Sequence, residues 1–453
     1  MLYHFLRLIV LIAIRVFFKS IHLKNIDHIP KKGALILAAN HPSTFLDPLV
    51  VALFVPRKIY FLANGGIFQV PLIAWFLRKL YMLPIYRQQD SQDASIKNKD
   101  SFRACYELLE KQGAVIIFPE GTSENERKLR KIKTGTARIA LGAEAKNDFA
   151  LDVKIVCVGI NYTNPRKFQS RLMVSFDEAI AVKDYKESYL QDMVKTVQVL
   201  TDEIKERLEA MIVVTENKEI DELVEKIERL YTSTLKKELS LEAPETEQIF
   251  IVAQHLAEAV HYFEATQPQR VDYLQANINQ YFSLLEKYKL SDSLIVQPIL
   301  DKKAKIKGVF NALLGLPLYL YGLIHNFLPY ELPAIFTRII TKDITYHAPM
   351  NITFGIFTFL SFYAIYAWRF YYYIQHGGYL FAYFISLGLT GFFTYRYWFY
   401  LLDLIGRWRI SNLVKNPDFQ LLLDLRKGII EELEKAKQEY LEILGAKQKT
   451  ENF

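Results

Sequence analysis

The chain has 453 residues, enough for two or three domains; 51% are hydrophobic, 14% aromatic and 23% charged. This is too apolar for a disordered protein and too charged for one made only of membrane spans, so a soluble part joined to membrane segments fits best. The net charge of +7 suits an anionic membrane surface or a phosphorylated substrate, and it is too small and too dispersed to argue for nucleic acid. The two cysteines, Cys105 and Cys157, form no C-x-x-C pair and have no histidine neighbours, which supports neither a disulfide framework nor a zinc site.

Residues 2–18 are apolar but interrupted by His4, Arg7 and Arg15, which a helix would place roughly along one stripe. An uncleaved amphipathic helix in contact with a bilayer is expected over 1–28, rather than a signal peptide. From 29 to 185, short apolar runs at 34–39, 59–63, 81–86, 114–119, 153–160 and 171–176 read as buried strands. Helical patterns at 48–55, 71–80, 94–111 and 135–146 separate them. Strands and helices in alternation predict an α/β domain, a mixed sheet flanked by helices on both faces.

From 186 to 305 the pattern turns helical, with Val194, Leu200, Ile204 and Leu208 recurring among Lys and Glu. A membrane region is expected over 306–402. Within it, 308–335 carries Pro317, Pro329 and Pro333 and reads as an interfacial or re-entrant segment. Stretches at 352–372 and 378–398 read as a transmembrane hairpin turning at Gly377–Gly378, with Tyr371, Tyr372, Tyr373 and Trp398 as interface anchors. Lysines before the region and Arg407, Arg409 and Lys415 after it put both ends, and the catalytic domain, on the cytoplasmic face. Residues 403–453 read as a C-terminal amphipathic helix.

Three features carry chemistry. In "AANHPSTFLDPLVV" (38–51), His41 follows a strand at the edge where open α/β sheets bind ligands, and Asp47 lies about one turn further on. A carboxylate on one imidazole nitrogen fixes the tautomer and frees the other to accept a proton from an alcohol. Alternatively, Asp47 caps a helix and His41 is a loop residue. In "IIFPEGTSENERKLRKIKTGTAR" (116–138), Gly121 permits a sharp turn that exposes amide N–H groups to an anion. Five cations follow within seven residues, Arg127, Lys128, Arg130, Lys131 and Lys133, either a phosphate-attracting cluster or a solvated charge run. Finally, Arg87 ends the 81–86 run, where a guanidinium can hold a phosphate with two hydrogen bonds or simply face water.

In this order, the three resemble the motifs of the PlsC-type glycerolipid acyltransferases over about residues 30–180. Asn40-His41 with Asp47 matches the first block, Arg87 the second, Phe118-Pro119-Glu120-Gly121-Thr122 the third letter for letter, and 153–160 the fourth. Five residues separate His41 from Asp47 where the family usually has four, a spacing similar to that of fungal-type glycerol-3-phosphate acyltransferases, which also carry hydrophobic segments after the catalytic domain. Cys157 stands where the fourth block usually has proline. The resemblance implies the glycerolipid acyltransferase fold, with His41 as general base and Asp47 as its orienting partner. Arg87, Glu120, Gly121, Thr122, Arg127 and Lys133 would hold the substrate. Backbone amides at the start of the 48–55 helix would stabilise the oxyanion.

The implied reaction moves an acyl group from acyl-CoA or acyl-ACP, as co-substrate, to glycerol 3-phosphate, with no bound cofactor or metal and with the lipid bilayer as partner. Acylation of lysophosphatidate to phosphatidate, transacylation or hydrolysis of phospholipids, and a non-enzymatic lipid-binding role are the alternatives.

Overall fold

The computed structural model describes residues 2–85, 94–238, 243–297 and 301–451. They form two compact units. One comprises residues up to Val214 with Ala243–Phe250 and Thr337–Ile352; the other comprises the remaining helices.

The first unit opens with α1 (Leu2–Phe17) and β1 (Ser20–Lys24). Then come β2 (Leu35–Ala39), α2 (Leu46–Phe54), β3 (Ile59–Asn64), α3 (Pro71–Lys79), β4 (Met82–Ile85), α4 (Ala94–Glu110) and β5 (Ala114–Ile117). It continues through α5 (Gly135–Lys146), β6 (Lys154–Tyr162), β7 (Arg171–Phe176), β8 (Ile180–Ala181), α6 (Lys186–Gln191) and α7 (Met193–Met211). The strands form one sheet in the order β1-β7-β6-β2-β5-β3-β4, with β8 beside β6. Pairing is parallel except where β6 meets β7 and β8. This is the expected mixed sheet with helices, and most of its pairings are parallel.

The sheet is built by its apolar runs. All five residues of β2 (LILAA) are buried, because strands lie on both of its sides and helices on its faces. The register pairs Ala38 with both Ile117 and Cys157, so β2 and β5 end at one edge while β6 runs on past them to Tyr162. The fold adds β1, paired in parallel with β7, inside the stretch read as helical contact. It also places Leu200, Ile204 and Leu208 of α7 in the core against Ala140, Ile155 and Cys157. These residues were expected in a separate helical insert from 186. Their apolar period is that of a helix covering a sheet, which looks the same in sequence as a helix covering another helix.

The second unit contains α8 (Lys218–Glu238), most of α9 (Glu245–Thr266), α10 (Pro268–Lys287), α11 (Asp292–Ile295), most of α12 (Lys302–Ile340) and of α13 (His347–Ile374), α14 (Gly377–Leu413) and α15 (Pro417–Glu451). α12, α13 and α14 are long and apolar enough to cross a membrane. The prolines of 308–335 do not break α12 into a re-entrant hairpin; one helix runs through Pro317, Pro329 and Pro333. A proline leaves the carbonyl four residues earlier without its N–H. Pro333 does this to Pro329, whose carbonyl accepts the Thr358 hydroxyl of α13 at 2.8 Å. A neighbouring helix thus supplies the missing donor, as apolar surroundings require. The turn expected at Gly377–Gly378 falls where α13 ends and α14 begins.

Candidate active site

His41 and Asp47 meet at the carboxyl edge of the sheet. The imidazole Nδ1 lies 2.8 Å from Asp47 Oδ2, and the Asp47 side chain is fully buried while that of His41 is 16% exposed. The path between them is a tight bend, with Thr44 at φ 34°. Asp47 is not a helix cap in the simple sense. It sits inside α2, and its Oδ2 also accepts the Ser43 N–H at 2.7 Å.

The other oxygen of Asp47 is held by a residue that sequence reasoning missed. The Tyr162 hydroxyl donates to Oδ1 at 2.8 Å. Tyr162 ends β6, and the parallel register (Ala39 with Val158) carries it past the end of β2 to the level of the bend. Its ring stacks on buried Phe18, 5.8 Å between centroids. Burial first, then the Asp47 carboxylate, pushes the phenol well above its ordinary pKa, so it remains a donor. Only its position two residues past the fourth block hinted at this contact. Asn40 acts similarly on the backbone: its amide accepts from Ile160 N at 2.7 Å and donates to Ile160 O at 3.0 Å, clamping β2 to β6.

Glu120 was expected at the acceptor phosphate. It is 6% exposed, and its carboxylate is committed to the protein's own backbone. Oε1 accepts from His41 N at 2.7 Å and Oε2 from Arg130 N at 3.2 Å. Burial raises its pKa, and those two N–H groups oppose the rise. A second tie, Thr44 N to Ser123 Oγ at 2.6 Å, joins the same two loops. The Phe118 ring stacks on His41, 4.0 Å between centroids and 18° from parallel. The imidazole is therefore fixed by the Asp47 carboxylate and an aromatic face, and the His41 backbone by its bond to Glu120.

Gly121 has φ +69°, the left-handed region that favours glycine. A Cβ built there would come within 2.6 Å of Lys133 Nζ, so the exposed Lys133 ammonium rests against the Gly121 turn. Thr122 and Arg127 are half-buried in the same loop. The basic run is not a solvated arm: Leu129 and Ile132 are buried in the core, and Arg130 is ion-paired with Glu124 and Glu126. Arg87 lies outside the described residues. Of the amides expected to stabilise an oxyanion, Pro48 has none, and those of Ser43, Thr44 and Leu46 just before it are already bonded. Cys157 is buried and its thiol is pushed up to about 12 by desolvation, which disqualifies it as a nucleophile.

Residues 20–161 match the family model described as Acyltransferase. They are an acyltransferase domain of the PlsC type. Over 123 residues the chain is 37% identical to Glycerol-3-phosphate O-acyltransferase 2 of Saccharomyces cerevisiae, covering 27% of this chain and 16% of that protein. Also over 123 residues, it is 27% identical to 1-acyl-sn-glycerol-3-phosphate acyltransferase LPAT1, chloroplastic, of Arabidopsis thaliana, covering 27% of this chain and 33% of that protein. The matches thus span a sixth to a third of those relatives' lengths. The crystal structure of the 1-acyl-sn-glycerophosphate (LPA) acyltransferase PlsC from Thermotoga maritima covers 44% of this chain at 21% identity, with a TM-score of 0.32. Within the acyltransferase domain, one stretch brings together His41, Asp47, Phe118 and Glu120, with Tyr162 just beyond its end.

Proposed function

We propose that this chain is a membrane-bound O-acyltransferase that moves a fatty acyl group from acyl-CoA or acyl-ACP to glycerol 3-phosphate. The observation that carries this reading is the His41–Asp47 contact, with the imidazole edge opposite Nδ1 left to meet an acceptor. With Asp47 on Nδ1, Nε2 takes the proton of the acceptor hydroxyl as the oxygen attacks the thioester carbonyl. The tetrahedral intermediate collapses, the C–S bond breaks, and the imidazolium returns its proton to the thiolate. Asp47 and Tyr162 hold the ring in place. Lys133, the Gly121 turn, Thr122 and Arg127 attract the acceptor's phosphate; Arg87 is proposed for the same role on its motif position alone.

Two observations favour glycerol 3-phosphate over lysophosphatidate: the higher identity to the yeast enzyme over an equal length, and the five-residue His–Asp spacing. The membrane reading is supported by the three apolar helices. Ion pairs join α10 to α15 (Arg270 with Glu432, Lys287 with Asp418), so both lie on one side of a bilayer and the chain between them crosses it an even number of times. The α13–α14 hairpin supplies such a pair of crossings. The test is to give the purified protein labelled acyl-CoA with glycerol 3-phosphate or lysophosphatidate separately. Label in lysophosphatidate is expected; label appearing only with the lysophosphatidate acceptor would reassign the substrate, and none with either would remove the activity.

A further inference from the structure

The helix α3 does not do what a flanking helix of an α/β sheet does. Its nine residues, PLIAWFLRK, bury only Ala74. Leu72 is 75% exposed and Trp75 57%, and Ile73 and Phe76 are exposed as well. The turn before it adds Ile67 and Val70, both exposed. Six large apolar side chains thus face outward within ten consecutive residues, in a chain that buries comparable residues completely in β2 and α2. A water-facing patch of this kind marks a surface that meets something apolar.

The charge around it indicates what that is. No Asp or Glu occurs between Asp47 and Asp90. Arg78 and Lys79 close α3, and Lys79 Nζ lies 6.0 Å from the Trp75 ring centre. Lys58 lies over Tyr81, just past the helix. An acid-free apolar helix with cations at its end and a tryptophan beside them is the pattern of an element lying in the headgroup region of an anionic bilayer. At 1.5 Å per residue the helix is only about 14 Å long, which suits lying in the interface and not spanning it. It also adjoins a second apolar surface. Tyr81 packs edge-on against Tyr3 of α1, 5.2 Å between centroids, and α1 presents Phe5, Leu8 and Ile12 outward while Arg7 bonds to the Leu53 carbonyl at the end of α2.

The position has a consequence. β3 runs parallel to β5 and β5 to β2, so the turn after Asn64 leaves the sheet at the same edge as His41 and Glu120. We propose that the 65–79 segment is an interfacial membrane-docking element, which seats the active-site edge of the catalytic unit on an anionic lipid surface, independently of the apolar helices α12–α14. An acyl chain then passes between bilayer and site without crossing water. That last consequence rests on the proposed function, whereas the docking does not.

The experiment uses the full chain in bilayers of phosphatidylcholine with a minority of phosphatidylglycerol. Leu72→Cys and, separately, Phe76→Cys carry an environment-sensitive fluorophore, and Lys111→Cys, at the opposite edge of the sheet, serves as control. Cys105 and Cys157 are buried with thiols pushed up to about 12, so they do not take the label. The expected result is blue-shifted emission at 72 and 76, quenched by lipids carrying a shallow spin label and protected from iodide, while position 111 behaves as in water. Labels at 72 and 76 that match position 111 would overturn the proposal. So would excimer emission from pyrene at position 72 that grows with the protein-to-lipid ratio, which would assign the face to a second copy of the chain. Neither readout depends on acyl transfer, so a failed transfer assay and a failed docking test are distinguishable.

Discussion

The central sheet and the three long helices α12–α14 are both built of long apolar runs, yet they dispose of them oppositely. Every residue from Leu35 to Ala39 is fully buried, whereas Leu314, Ile324, Trp368 and Phe381 are each about two-thirds exposed or more. Polar groups follow the same division. In the catalytic unit, buried Asp47 is surrounded by donors from His41, Ser43 and Tyr162 and orients a reactive group. Among the apolar helices, Asn326 bonds to the Gly322 and Leu387 carbonyls and to Tyr363 and joins helix to helix. The lesson is that apolar content alone does not separate core from membrane surface; what separates them is how much of it the fold covers.

That contrast can be broken at several points. The largest expected effect is at the orienting carboxylate. Asp47→Asn loses the group that sets the His41 tautomer, and turnover should fall by roughly 10²–10⁴-fold with the protein still folded, as circular dichroism and turnover together would establish. A drop of less than tenfold would mean that the two regions do not differ in the way described. In the other region, Leu360→Asp puts a carboxylate on an exposed face of α13, at a cost of about 2.5–3.5 kcal/mol near a bilayer centre. Alkaline washing should then release more of the variant from membranes, while the retained fraction turns over normally.

The next effect is subtler. Gly121→Ala strains a left-handed turn and displaces Lys133, so KM for the phosphorylated acceptor should rise about tenfold, the worth of one charge-assisted contact, with kcat less changed. An unchanged KM would remove Lys133 from the acceptor site. The smallest effect belongs to Tyr162→Phe. Losing one donor to Asp47 should lower kcat about threefold, with KM for the acceptor unchanged. An unchanged kcat would reduce Tyr162 to a packing role.

Much of this was legible before any coordinates. The strands at 34–39, 114–119 and 153–160 were readable because their apolar runs are continuous, and His41 and Asp47 because a strand, a turn and Asp-Pro follow one another. Tyr162 was not readable, because its contact with Asp47 depends on β6 lying parallel to β2, and register across 115 residues leaves no local trace. The structural part of Glu120 was not readable for a related reason: nothing local in a Glu-Gly-Thr turn shows that its carboxylate accepts from the His41 and Arg130 N–H groups. The long apolar helices were recognised by composition, but the prolines of 308–335 suggested a break where one helix runs on, with Thr358 bonding the carbonyl that Pro333 leaves without a partner. The helix α3 was readable as a helix, and its outward apolar face was not, since burial is a property of neighbours.

The most direct measurement is the single-turnover rate of label transfer from acyl-CoA by His41→Ala, beside the natural protein, in the same bilayer discs and with matched thermal unfolding. A general base predicts a loss of at least ~10²-fold across the pH range in which the natural protein works. Transfer at close to the natural rate would contradict the account, whatever the geometry around Asp47.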